Sequence, residues 1–503
     1  MRTFHQTLRT VSLSHPCVDD SLTEDALNQW REALGSDEPA KLEKRLRWEG
    51  LDLAQAQCCL ARLDDQAFGE SAASEDPPIG QWLREADPIS HGELDNPEEA
   101  PAFAELWGRL ARRARRTLET RISPEMLAVL TPALTPLQDL EHSLLARLAR
   151  IGEATLWKQF GALRSPAESF LAHVGVEGDD TGAPRRDKYL AFLEALRMDG
   201  LASLFQEFPV LERHLSTVVR LWLANSQELL GRVAVDLPTL GARFDLPACA
   251  VLAGIRQELS DPHRGGRAVA ILSFKSLESE GREYRLVYKP KDMQLDAAYQ
   301  EALRHTAIAA GDAPLRSLRV LSLHGYGYME YVVHRTCADD EALSRFYRNA
   351  GRLTAVLHLL ACTDCHHENL IADADQLMLI DTETLFEGVV ADQVSATSID
   401  PPVQSELQRR LGRSVLRSGL LPQWIFVGQW KTGIDISALG IAPPANHTRN
   451  VPGYIGRNSD GMIATMRSEP AVLPTSSPVG IGARNRLADF QEEFLSGFMD
   501  QSA

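Results

Sequence analysis

Thr363-Asp364-Cys365-His366-His367-Glu368-Asn369-Leu370-Ile371, then the apolar run Leu377-Met378-Leu379-Ile380, then Asp381-Thr382-Glu383-Thr384-Leu385: the reading of the fold turns on this stretch. Upstream of it, Leu343, Phe346, Tyr347, Ala350, Leu353, Leu357 and Leu360 recur at three- and four-residue steps, which predicts one apolar face of a helix. The order is therefore helix, polar loop, short strand, turn. Earlier still, RAVAILSF (267–274) and YRLVY (284–288) flank the charged, Gly-bearing KSLESEGR, and predict an antiparallel hairpin. LRVLSL (318–323) and YMEYVV (328–333) flank HGYG and predict a second strand pair. Residues up to about 232 read as helical; Leu137, Leu140, Leu144, Leu148 and Ile151 mark one amphipathic face. Segment 69–100, rich in proline and acids, predicts an exposed loop or lid edge, and EGDDTGAPRRDK (177–188) a polar interruption. The fold class expected is α+β.

The central loop holds the groups that phosphoryl transfer requires. A carboxylate must take the proton of an attacking hydroxyl, and an amide oxygen and a second carboxylate must hold the ions that neutralise phosphate. Asp364 precedes Asn369 by five residues, the spacing of base and metal ligand in a kinase catalytic loop, and Asp381 follows a strand-like run. The same residues also fit a polar turn, with Asp364 capping and Asn369 bonding main chain. A cation for phosphate is offered by Lys289, at the end of YRLVY, where Pro290 stops the strand ladder. Gly265-Gly266 and Gly325/Gly327 do not match a Gly-rich phosphate loop. Cys362-x-x-Cys365-His366-His367 lacks a second ligand pair at zinc spacing, so no zinc is expected and Cys362 reads as a small buried hydrophobe.

Composition narrows the field. The chain has 503 residues, with 52 Lys plus Arg against 69 Asp plus Glu, a net charge of −17. That balance argues against nucleic acid or a membrane surface as partner. Seven scattered cysteines make no disulfide framework and suit a reducing cytoplasm, and no apolar run is long enough to span a membrane. The cluster Arg109, Arg112, Arg113, Arg115 and Arg116 suggests a phosphate or peptide site, or else a solvated helix face.

TDCHHENLIA…LIDTETLF resembles the dehydratase domain of class II lanthipeptide synthetases, the LanM family. Asp261-Pro262-His263-Arg264-Gly265-Gly266-Arg267, LVYKPK, GYGYMEYV and FYRNAGRLTAVLHLL follow in that family's order. So do FPVLERHL (208–215), SGLLPQW (418–424) and DISALG (435–440), giving a resemblance over roughly residues 135–500.

The resemblance implies a two-lobed, lipid-kinase-like fold with extra N-terminal helical elements. Residues 1–232 would hold lid, activation or leader-binding elements, flexible near 69–100; 233–340 would form the N-lobe and 341–503 an incomplete C-lobe. It implies ATP and Mg²⁺, phosphorylation of Ser and Thr in a ribosomal precursor peptide, and elimination to dehydroalanine or dehydrobutyrine. Asp364 would be the catalytic carboxylate with His366 beside it, Asn369 and Asp381 would hold Mg²⁺, and Lys289 would bind phosphate. Asp261 and His263 would serve the D-x-H motif, and Glu383 a supporting role. Complete members are longer, and their elimination Arg and Thr and their zinc cyclase would lie beyond residue 503. The expectation is therefore a truncated or split synthetase, or a fragment of one, that phosphorylates without eliminating, with the precursor peptide and a separate cyclase or a missing C-terminal portion as partners. On the same ground the apolar face of Phe490, Phe494, Leu495 and Phe498 is expected to lack partners. A small-molecule or lipid kinase, or an inactive leader-binding fragment, would share these residues.

Overall fold

A computed structural model describes residues 39–48, 52–53, 77–89, 92–164, 184–257, 261–263, 265–278, 281–306, 314–387, 410–426, 433–440, 448–470, 474–480, 483 and 486–502. The chain divides into two compact units, Met1–Pro77 and Pro78–Ala503. In the first, helix α1 (Pro39–Trp48) buries Leu42 and Leu46, one turn apart. Cys17, Cys58, Cys59 and residues 69–76 lie outside the described residues.

The second unit mixes helices with a small antiparallel sheet. Its first part holds α2 (Ile79–Arg84), α3 (Ala104–Glu119), α4 (Pro124–Ala128), α5 (Thr135–Ala162), α6 (Asp187–Ala195), α7 (Leu201–Glu207) and α8 (Pro209–Phe244). Leu137, Leu140, Leu144 and Leu148 are fully buried along α5, as their spacing predicts, and they meet Leu106, Trp107 and Leu110 of α3 in one core. Segment 77–100 departs from the loop expected there. Ile79 and Leu83 of α2 are fully buried, and the Pro97 carbonyl is bonded to Asn458. Two apolar residues four apart suffice to dock one helical turn, which prolines on either side had masked. The arginines of α3 separate by face. Arg109 is buried, paired in a fork with Glu93 and donating to the carbonyls of Asp87, Pro88 and Glu105, whereas Arg112 and Arg116 are exposed. Helix α8 runs on to Phe244, so the boundary expected at 232 falls inside it.

Five strands follow: β1 (Ala250–Arg256), β2 (Ala270–Ser276), β3 (Glu283–Lys289), β4 (Val320–Leu323) and β5 (Tyr326–Glu330), in the order β1-β2-β3-β5-β4, all antiparallel. Both predicted hairpins are present; β1 was not foreseen. Alternation puts Leu286 and Tyr288 of β3 toward the helical core, and Val287 toward the other face with Met329 and Met378. Along α8, Arg232 and Asp236 lie four residues apart and clamp this sheet: Arg232 donates to the Tyr288 hydroxyl at 2.5 Å, and Asp236 accepts from Tyr326 and Tyr328 at 2.9 and 2.8 Å.

Helix α9 (Gln294–His305) follows β3, and α10 (Asp340–Leu359) follows β5. Leu343, Phe346, Tyr347, Ala350, Leu353 and Leu357 of α10 are buried at the predicted spacing. The hairpin β6 (Leu370–Asp373) and β7 (Gln376–Leu379) packs beside it. Beyond lie the pairs β8 (Trp424–Phe426)–β9 (Gly433–Asp435) and β10 (Thr448–Ile455)–β11 (Ile463–Pro470), then α11 (Gln491–Ser502). The apolar face expected to lack partners is in fact covered. Phe490 and Phe494 join the core around α10, with Phe490 stacked on Tyr347 at 5.4 Å, and only Leu495 of the expected set is well exposed. Gly351 of α10 and Gly497 of α11 permit this: a Cβ at either would overlap the opposing helix backbone.

Candidate active site

The loop after α10 is held from three sides. The Cys365 amide donates to the Ser418 carbonyl at 2.7 Å, the His367 amide to Ile436 at 3.0 Å, and the Asp364 amide to the Thr384 hydroxyl at 3.2 Å. The segments SGLLPQ and DISALG thus frame the loop, and a 3.0 Å bond from Leu439 to Leu420 ties them together. So held, the loop brings three predicted residues into one cluster. His366 Nε2 lies 3.3 Å from Asp364 Oδ1, and the Asn369 amide donates to Asp364 Oδ2 at 3.1 Å and to the Asp364 carbonyl at 2.9 Å. Asp364 stays half exposed.

Lys289 and Asp381 belong to the same assembly, joined through the main chain of one residue, Ile380. The Ile380 amide donates to the Asn369 carbonyl at 2.9 Å, and its carbonyl accepts from Lys289 Nζ at 2.5 Å. Lys289 is buried and paired with Asp296 Oδ1 at 3.3 Å, in the first turn of α9. Gly327 lies opposite Lys289 in β5; a side chain there would meet Met293 Sδ and the Leu321 carbonyl, so only glycine allows so close an approach. Asp381 Oδ1 accepts from Lys291 Nζ at 2.8 Å, and Lys291 also reaches Glu383 at 2.7 Å. Burial pushes the Asp381 carboxyl up, but the charges of Lys289 and Lys291 and the Lys291 hydrogen bond outweigh it and hold the group below the usual carboxylate value.

Asp261 and His263 are exposed. His263 exchanges main-chain bonds of 2.7 and 2.9 Å with Arg267 across the Gly265-Gly266 turn, where both glycines have positive φ. Arg267 pairs with Glu228 of α8 at 2.5 Å. No hydrogen bond or ion pair described joins Asp261 or His263 to the Asp364 cluster. Two functional candidates escaped the sequence reading. Asp296 carried a signal, an acid in the first turn of the helix after the lysine strand, as in the Lys–Glu pair of kinases. Lys291 stood in the quoted KPK without a role.

Among the described residues no group of three or more His, Cys, Asp or Glu side chains is arranged to hold a metal. Mg²⁺ needs no such cage, since it takes one or two carboxylates and completes its shell with phosphates and water. The Asp381 carboxylate, one residue from the Ile380 amide that bonds the Asn369 carbonyl, fits that donor set by its chemistry.

The family model described as "Domain of unknown function (DUF4135)" matches residues 208–503. The chain belongs to this family. Over 188 residues it is also 25% identical to the "Lacticin 481/lactococcin biosynthesis protein" of Lactococcus lactis subsp. lactis, a match covering 36% of this chain and 19% of the relative's length. The DUF4135 match begins at the start of FPVLERHL and takes in every later stretch on which the resemblance to class II lanthipeptide synthetases rested. That resemblance holds.

Proposed function

We propose that this DUF4135 chain is an ATP- and Mg²⁺-dependent enzyme of lanthipeptide biosynthesis that phosphorylates Ser and Thr hydroxyls of a ribosomal precursor peptide. The frame would be two-lobed and lipid-kinase-like, with the antiparallel sheet in one lobe and α10 at the centre of the other. One observation carries the reading: Asp364, His366 and Asn369 form a hydrogen-bonded cluster, and the main chain of Ile380 links it to Lys289, Asp296 and Asp381. In this reading Asp364 takes the proton of the substrate hydroxyl, and His366 and Asn369 fix the carboxylate. Asp296 holds Lys289 so that its charge serves phosphate. Asn369 and Asp381 would hold Mg²⁺, which when bound neutralises phosphate charge. Asp261 and His263 are assigned to the D-x-H chemistry around phosphorylation and elimination. The name of the lactococcal relative supports a peptide substrate.

The test is mass spectrometry of a Ser/Thr/Cys-rich precursor peptide incubated with the chain, ATP and Mg²⁺. A mass gain of phosphate, or loss of water, supports the proposal. Phosphorylation of small alcohols or lipid headgroups with none of peptide overturns it.

A further inference from the structure

Two residues in the catalytic loop have no part in the chemistry proposed above. Cys362 and Cys365 bracket Thr363 and Asp364, and their sulfurs lie 3.1 Å apart, the Cys365 thiol donating to Cys362 Sγ. Both are buried in the core around α10 and are anchored through the main chain, Cys362 to Leu357 and Cys365 to Ser418. Cys362 Sγ also lies 3.4 Å from the Thr384 hydroxyl, which accepts the Asp364 amide at 3.2 Å. Any movement of the sulfur pair is therefore passed to the backbone that presents Asp364.

We propose that Cys362 and Cys365 form a reversible dithiol–disulfide site, oxidised by a hydroperoxide, whose closure resets the loop carrying Asp364. The thiols differ in the way such chemistry needs. The hydrogen bond from Cys365, with smaller help from Thr384 and the amides of Asp364 and Thr363, outweighs burial and brings Cys362 down to about 6. The same bond, with burial, pushes Cys365 up. Cys362 is thus the more acidic of the pair and the attacking sulfur, and Cys365 the resolving thiol. The Cys362 thiolate attacks one peroxide oxygen: an S–O bond forms, the O–O bond breaks, and the departing hydroxide takes a proton to become water. Cys365 sulfur then attacks Cys362 sulfur, the S–S bond forms, the S–O bond breaks, and the Cys365 proton leaves with the hydroxyl as a second water. Two thiols are oxidised by two electrons and one hydrogen peroxide is reduced to two waters. At 2% and 0% exposure the sulfurs call for an oxidant as small as this. Closure shortens the separation from 3.1 Å to about 2.05 Å. A shift of about 1 Å in reacting geometry costs up to roughly 10²-fold in rate.

The experiment takes the reduced full chain, adds hydrogen peroxide, and maps cysteines by mass spectrometry without reduction. Amide hydrogen exchange of residues 363–369 is followed in parallel. The expected result is a Cys362–Cys365 cross-link, lighter by two hydrogens, with altered exchange in that loop. Dithiothreitol should reverse both, and Cys365→Ser and Cys362→Ser should show neither. Oxidation of Cys249 or Cys337 with no Cys362–Cys365 link would overturn the proposal, as would a link that leaves exchange at 363–369 unchanged. The accompanying loss of peptide phosphorylation, by up to roughly 10²-fold, rests on the function proposed above. A reduced chain inactive from the start counts against that function and leaves the mapping and exchange to decide this site.

Discussion

In the proposed reaction Asp364 is the base. Asp364→Asn keeps the shape of the side chain and removes the base, so phosphoryl transfer should fall by roughly 10²–10⁴-fold while nucleotide binding by calorimetry stays as in the parent. Retained turnover would move the base elsewhere. Asp296 acts through Lys289. With both side chains buried, Asp296→Leu leaves an ammonium whose remaining described partner is the Ile380 carbonyl. Breaking a buried pair costs about 3–5 kcal/mol, which urea unfolding should register; a loss under about 1 kcal/mol would show that the pair is wet. Asp381 sets a pH dependence. Its carboxyl is held below the ordinary value, so its contribution to stability is complete above the unfolded value of about 3.9 and is lost as pH falls through the lower folded value. Lys291→Met removes one of the two cations responsible, so Asp381 should titrate closer to its ordinary value, a shift that carboxyl NMR reads directly. At this scale Asp364 and Asn369 were legible because their spacing lies within one loop, and Asp381 because it directly follows a short apolar run. Asp296 and Lys291 were not, because their partners lie across a strand-to-helix turn or 90 residues away.

At the scale of elements, helices were read best. The faces of α5 and α10 repeat every three or four residues, a signal written along the chain. Strand β1 was missed because Ala250–Arg256 is a short apolar run that periodicity cannot separate from the end of a helix, and its pairing with β2 shifts register between Leu252 and Gly254. The docking of α11 on α10 was misjudged for a related reason: an apolar face is visible in sequence, its covering surface is not. Gly351→Ala and Gly497→Ala should each loosen that contact by about 1–3 kcal/mol through overpacking. Thermal melts measure the loss, and a neutral Gly351→Ala would mean that α11 does not pack as described.

For the whole second unit the decisive ties run between distant segments. Asn458, buried in the turn between β10 and β11, accepts from the Phe103 amide at 2.7 Å and the Tyr189 hydroxyl at 2.8 Å, and donates to the carbonyls of Pro97 and Pro101 at 2.9 and 3.0 Å. It joins a late hairpin to the first helices. Asn458→Ala leaves two buried donors, the Phe103 amide and the Tyr189 hydroxyl, and two part-buried carbonyls without this partner, at about 1–3 kcal/mol for each buried group before relaxation. The expected outcome is a chain that melts far lower or fails to fold, and a melting temperature within a few degrees of the parent would be at odds with this bond set. By itself the sequence determined the helix faces, both sheet hairpins, the order of motifs and the candidate residues of the loop after α10, because each of these is a local pattern of period or spacing. Only the tertiary structure decided that Asp296 would hold Lys289, that the main chain of Ile380 would join the loop to that lysine, and that α11 would find its cover on α10. Those are contacts between surfaces whose shapes exist only after the chain has folded, so no local pattern can carry them.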